Sequence, residues 1–511
     1  MNQTTTVNAP KAPDMGLFWG CVIALVATGF GFIARVLTAN QWGPEFGLTE
    51  TQVGEIFGVG FWPLAISLVL FSLIIDKVGY KVAMWFGLIC HTLSTILIVT
   101  ASGYQGMYIG TFVLALGSGC VEAYINPVVA TMFDKDKSKW LNILHAGWPG
   151  GMVFAGLIIL ILASGMAWRI QIGLILIPTL IYAVMLFNKR FPVNERVAAG
   201  VSYKEMLEEV GAIGALIIFA MVIRELGRLF SIPDIAQLVL ALAAAGAFWF
   251  YTRSLGRPLY IFLLLLMTIL ATTELGVDSW ITSLMESEMS AIGLQAGWVL
   301  IYTSAIMMFL RLFASGPLVK KLTPLGLLAV CALLAALGLI FLSKAAGFAI
   351  LLAATLYGVG KTFFWPTTLG IVAEQFPKGG ALTLNAIAGV GMLAVGIVGN
   401  PFLGNFQDKQ VDKQLMAYDQ SNNTSYHSSY VTEPKRSVFG KYLGLDVEKV
   451  ENAPEEDKQV ITTVQNTAKK SALSTVAIFP IIMFVCYILL IFYFRGKGGY
   501  KQVELGGDGG H

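Results

Sequence analysis

The sequence predicts an all-α membrane protein of about fourteen spanning helices, on three observations. Hydrophobic residues make up 56% of the chain and charged residues only 13%, against roughly 25% charged in soluble globular domains. Mean hydropathy is +0.71, and apolar stretches near the length needed to cross a bilayer fill almost the whole chain. A few of those stretches carry full charges, most clearly Glu122 inside Leu116–Pro127. An ionised group at the bilayer centre costs about 2.5–3.5 kcal/mol on insertion scales, so it normally faces a bundle interior or a water-filled cavity. Repeated intramembrane charge therefore implies a polar pathway through the membrane.

The elements follow in order. Residues 1–15 are polar, contain two prolines and lack the basic segment and cleavage site of a removable signal, so they are expected to be a cytoplasmic tail. The first set of spans is expected at 16–39, 52–75, 82–102, 107–133, 140–163 and 168–187, within a first bundle over 16–190. A linker over 191–257 contains an amphipathic stretch at Tyr203–Glu209 and two further apolar runs, 211–230 and 235–252, which read as an inserted hairpin. The second set is expected at 259–284, 295–315, 325–343, 346–376, 382–404 and 472–494, within 258–495. Residues 406–470 are rich in Asn, Ser, Lys and Glu and read as a long extracytoplasmic loop, and 496–511 as a second cytoplasmic tail.

Loop charge supports this layout. Lys77, Lys81, Lys135, Lys137, Lys139, Lys189, Arg190, Arg196, Lys204, Arg253, Arg257, Lys320, Lys321, Lys378, Arg495, Lys497 and Lys501 all fall on one side. That side should be cytoplasmic, because short cytoplasmic loops are enriched in Lys and Arg. Opposite loops are nearly free of cations, with Arg169 and Lys344 as exceptions. The five cysteines lie in apolar runs with no CxxC pair, which argues against a disulfide framework or structural zinc. No Walker A sequence, Cys/His metal constellation or nucleophile elbow occurs, so neither an ATP-driven pump nor an enzyme is expected, and no cofactor.

The loop after the second span reads Ser72-Leu-Ile-Ile-Asp76-Lys77-Val-Gly79-Tyr-Lys81. It resembles the major facilitator motif G-x-x-x-D-R-x-G-R-K, with a tight turn at Gly79 and cations facing the cytoplasm. Glu122-Ala-Tyr-Ile-Asn126-Pro127, then Leu141-Asn-Ile-Leu-His145-Ala-Gly147, is similar to the fucose–galactose–glucose:proton symporter branch, as are Trp365-Pro-Thr367 and Gly399-Asn400-Pro401-Phe-Leu-Gly404 with Asp408. The resemblance implies the major facilitator fold, two six-helix bundles about a pseudo-twofold axis, here with the 211–252 hairpin added. It implies that Glu122 is the protonatable carboxylate and that Asp76, Lys77, Gly79 and Lys81 form a gating motif. One departure matters: that branch carries an Asp near the position where this chain has Arg35.

Glu122 and Asn126 are four apart and share a helix face beside the kink that Pro127 can impose. Arg35 is expected either to pair with Glu122 or to contact substrate directly. His145, with a reference pKa near 6.5, can relay a proton or hydrogen-bond a hydroxyl, and Trp148 lies one turn away. Glu274 and Asp278 place two acids on one face that should meet water, cations or polar substrate, with Trp280 as a flat partner for a sugar ring. Lys361, Trp365 and Asn400 complete the substrate-binding candidates. Arg311 is expected to snorkel at the cytoplasmic end, and Arg224, Glu225 and Arg228 to anchor the hairpin at the outer interface.

The resulting expectation is a monomeric secondary transporter of the inner membrane, moving a sugar or sugar derivative by alternating access with possible proton coupling. Its partners would be the solute, a coupling ion and lipid, with no nucleic acid. An organic-acid or sugar-acid carrier and a non-transporting receptor using 406–470 are the two rival readings.

Overall fold

The computed structural model describes residues 12–505 apart from 49, 164, 433, 438 and 439, so the outermost parts of both expected tails lie outside the described residues. Among them, twelve helices are long and apolar enough to cross a membrane. The first six are α1 (Met15–Thr38), α2 (Gln52–Val78), α3 (Tyr80–Val99), α4 (Tyr104–Met132), α5 (Lys137–Leu162) and α6 (Trp168–Phe187). Next are α7 (Tyr203–Leu229) and α8 (Asp234–Thr252), and then α9 (Pro258–Ala291). A shorter apolar helix, α10 (Gly297–Phe313), precedes α11 (Ser315–Leu342). The stretch expected as one span at 346–376 is two helices, α12 (Ala349–Lys361) and α13 (Phe364–Gln375), and the chain closes with α14 (Pro377–Asn422) and α15 (Glu455–Gly496).

Helices α1–α6 pack among themselves, and α9–α15 form a second packed set. The two sets meet where α2 and α4 lie on α14, where α5 lies on α10 and α11, and where the start of α5 lies on α13. Helix α7 bends at Gly211, which separates the amphipathic start from the apolar run, and then pairs with α8 and leans on α9 and α14. The close approach of α1 to α5 rests on small residues: a Cβ on Gly29 would sit 2.2 Å from the Trp148 carbonyl oxygen, and one on Gly151 2.3 Å from that of Val26.

Residues 406–470 have more order than a long loop. Helix α14 runs on to Asn422 and α15 begins at Glu455, so both extend past their apolar parts as a two-helix stalk. Val411, Leu415, Val464 and Ala468 give the stalk its own small core, and a two-stranded antiparallel ribbon, β1 (Lys435–Ser437) and β2 (Gly440–Tyr442), sits between them. Polar composition hid this, because one apolar stripe is enough to pair two helices.

Regular helix fails at defined places. Five-residue π-helical turns occupy Ile158–Leu162, Thr272–Gly276 and Val395–Gly399. Helix α5 is interrupted at His145–Ala146, and the α12–α13 break falls at Thr362–Phe363. Such irregularities free backbone groups that need partners, and within a membrane they occur where protein or an aqueous cavity supplies them.

Candidate functional site

Three cavities follow one another between the two helix sets. The outermost is lined by Gly54, Trp62, Glu225, Arg228 and Asn400. The next holds Thr28, Phe32, Arg35, Gly60, Trp148 and Asp278. The innermost gathers Glu122, His145, Trp148, Glu274, Arg311 and Trp365. Met392 lines all three, so they mark one path.

The innermost cavity is organised by Arg311. Its side chain is 2% exposed, so it does not snorkel to an interface as its position near the end of α10 suggests. Nε donates to the Thr362 carbonyl (2.6 Å), Nη1 to the His145 carbonyl (2.8 Å) and Nη2 to Glu274 Oε1 (3.1 Å). Both carbonyls lie at helix breaks, one in each helix set, and the carboxylate projects from the Thr272–Gly276 π turn. One planar guanidinium thus satisfies three separate irregularities, a geometry that a lysine point charge does not reproduce. This role was hidden in the sequence because it depends on where the two breaks meet.

Glu274 and Asp278 do not share a naked acidic face. Glu274 pairs with Arg311, and Asp278 pairs with Lys361, whose Nζ also lies 5.1 Å from the Tyr357 ring centroid. Glu274 Oε2 and Glu122 Oε2 are buried with no hydrogen-bond partner. His145 Nε2 is 2.9 Å from Asn126 Oδ1, and Glu122, His145, Trp148 and Trp365 line one cavity.

Arg35 is not joined to Glu122. Among the described ion pairs the acid's neighbour Glu274 takes Arg311 instead, and Arg35 lines the adjoining cavity. Its Nε donates to the Gly31 carbonyl (3.2 Å), while buried Nη1 has no hydrogen-bond partner. Gly60 lets the guanidinium lie against backbone: a Cβ there would meet Nη1 at 2.7 Å.

Two other candidates fall elsewhere. Trp280 packs near Gly404 at the foot of the stalk, outside these three cavities, and Asn400 lines the outermost one. Glu225 and Arg228 pair at 2.6 Å and face that same cavity, so α7 forms part of its wall, contrary to a hairpin that only anchors at the interface. Arg224 pairs with Asp234 across the α7–α8 turn. Arg169, an apparent charge exception, pairs with Glu45 and donates to the Val99 and Ala101 carbonyls (3.0 Å each).

The path is shut at the end carrying the loop cations. Gly79 adopts φ +86° in the tight turn after α2. Asp76 binds Arg196 at 2.5 Å, Lys77 lies over the Tyr203 ring, and Lys81 is exposed. Arg196 is the partner that sequence spacing did not reveal, since it comes from the linker. Glu374 of α13 accepts from the backbone N–H (3.0 Å) and hydroxyl (2.5 Å) of Ser138, Lys137 donates to the Ala373 carbonyl (3.2 Å), and Asn142 donates to Thr367 (3.0 Å).

Known proteins resemble this chain over part of its sequence and in fold. The "Hexuronate transporter" of Bacillus subtilis (strain 168) is 27% identical over 142 residues, 28% of this chain and 34% of that protein. The "Gentisate transporter" of Corynebacterium glutamicum is 23% identical over 189 residues, 36% of this chain and 42% of that protein. The matched stretches thus cover less than half of either relative. The E. coli fucose:proton symporter FucP is similar in fold, with a TM-score of 0.52 and 16% identity over 90% of this chain and 98% of that one. The family model described as Major Facilitator Superfamily matches residues 19–401, three-quarters of the chain, and the protein accordingly belongs to the major facilitator superfamily.

Proposed function

We propose that the chain carries a small carboxylate-bearing solute, a sugar acid or related organic acid, by alternating access across a bacterial-type inner membrane. One observation carries the choice of an acid over a neutral sugar: Arg35 presents an unpartnered guanidinium nitrogen, Nη1, in the cavity between the helix sets, with no ion pair to an acid among the described residues. A buried cation of that kind is stabilised by an arriving anion, and a guanidinium suits a carboxylate bidentately. The names of both curated relatives, hexuronate and gentisate transporters, are those of carboxylic acids.

In this reading Arg35 holds the carboxylate, Trp148 and Trp365 cover the ring, and Lys361 with Asp278 and Asn126 with His145 position hydroxyls. Glu122 takes up the coupling proton, and release follows when the closed end parts. The cation-rich loops and both termini face the cytoplasm. Counting the short and broken helices gives fourteen spans, with α1–α6 and α9–α15 as the two bundles and α7–α8 inserted between them. A single chain holds both bundles, so a monomer suffices.

Proteoliposomes with an inward pH gradient test the reading. Glucuronate should accumulate, glucose should not, and Arg35→Ala should abolish the accumulation. Equal uptake of glucose, or an Arg35→Ala variant with unchanged uptake, would sink the acid reading. Binding of glucuronate with no movement would favour the receptor.

A further inference from the structure

The chain emerging from α15 turns back on itself. Gly498 and Gly499 have φ of +86° and +101°, and their N–H groups donate to the Arg495 carbonyl (3.1 Å) and the Phe494 carbonyl (2.8 Å). The turn sends residues 500–503 across the closed end beside the loop cations. Tyr500 packs edge-on against Phe494, and its hydroxyl donates to Glu374 Oε2 (2.6 Å). The Lys501 carbonyl accepts from Gln375 Nε2 (2.8 Å), and the Val503 N–H donates to the Glu374 carbonyl (2.9 Å). Gln502 Nε2 then reaches the other helix set and donates to the Asp134 carbonyl at the end of α4 (2.6 Å).

Glu374 is the hub. One carboxylate oxygen receives Ser138 from the first helix set, and the other receives Tyr500 from the tail. The tail therefore fixes the rotamer of the residue that joins the two sets, and also adds a bond of its own between them. Opening this end must break Ser138–Glu374, Lys137–Ala373, Asn142–Thr367 and Gln502–Asp134 together.

We infer that residues 500–503 form a strap that holds this end of the transporter closed and so biases the alternating-access equilibrium towards the state with this end shut. The inference rests on the transporter reading for its consequence, but its test does not need a substrate.

Spin labels at Lys135→Cys and Lys378→Cys, both exposed on opposite sides of the closed end, report its opening by electron–electron distance measurement, in a Cys486→Ser background. Ending the chain after Gly499 should move the distance distribution from one short component towards a longer one. Gln502→Ala, which leaves the tail in place, should raise the long component about fivefold, as expected for one lost neutral hydrogen bond. Tyr500→Phe should act in the same direction by freeing Glu374. If truncation impairs folding, the two point variants decide the matter. Unchanged distances in both would overturn the strap even if solute uptake is intact. Altered distances with no solute moved would instead keep the strap and count against the transporter reading.

Discussion

Arg311 is the residue whose removal should cost most. Breaking a buried ion pair by deleting one partner typically costs about 3–5 kcal/mol. Arg311→Ala should lie at the upper end, because it also leaves the Thr362 and His145 carbonyls unpaired. Glu274→Gln keeps an acceptor for the guanidinium and should cost markedly less. Melting of the detergent-purified variants tests the order, and a Glu274→Gln loss equal to that of Arg311→Ala would refute the three-acceptor account. For Arg35 the expectation reverses: a cation with an unpartnered nitrogen gives up little when removed, so Arg35→Ala should melt at or above the parent temperature while losing acid uptake. A large fall in melting temperature would show that Arg35 braces the bundle. Glu122 and His145 stood out as candidates because charge or a ring nitrogen in an apolar run has few other uses, and Asp76 because of the motif its loop resembles. Arg311 was not, since nothing in its neighbours Leu310 and Leu312 tells that three irregular backbones converge on it.

At the scale of elements, α1 offers two tests. Asp14 caps its first turn by accepting from the Leu17 N–H (3.0 Å) and also binds Lys189 at the end of α6 (2.9 Å). The Lys189 hydrogen bond, with that from Leu17, holds the Asp14 carboxyl below its ordinary range. A depressed folded-state value means the stabilisation is complete above the unfolded value, about 3.9, and is lost as pH falls through the folded one. Asp14→Ala should therefore cost about 1 kcal/mol at neutral pH, and the variant and parent should melt alike near pH 2. A difference that persists there would assign the effect to packing. On the opposite face, Gly151→Val should push α5 off α1 because its Cβ would lie 2.3 Å from a backbone oxygen. Loss of monodisperse protein is the expected outcome, and normal expression with normal melting would refute the close packing. Positions of the apolar helices were largely readable from hydropathy, whereas the polar stalk helices of 406–470 were not. The π turns and the Thr362–Phe363 break were not, because they are set by tertiary partners such as Tyr357, whose hydroxyl donates to the Thr273 carbonyl (2.8 Å).

Over the whole molecule, the stalk is expected to open as a unit separate from the bundles. Its core of Val411, Leu415, Val464 and Ala468 is distinct from that of the bundles. Leu415→Ala should cost about 2–5 kcal/mol locally, so that a protease nicks between 422 and 455 sooner while solute accumulation survives. If accumulation falls in step with nicking, the stalk is coupled to the transport path, as a receptor-like role for 406–470 would require.

The sequence by itself determined the membrane class, the positions of nearly all apolar helices, the side on which cations gather and the acids that sit in lipid-length runs. Hydropathy and charge are sums over neighbours along the chain, and the bilayer reads them locally. Only the tertiary structure decided which charges neutralise one another. Arg35 and Glu122 could be paired on paper, yet Glu274 takes Arg311, Asp278 takes Lys361, and Arg35 keeps an unpartnered nitrogen. Ion pairing depends on distances of a few ångströms between helices far apart in sequence, and those distances follow from where glycines let helices touch and where broken turns demand a donor.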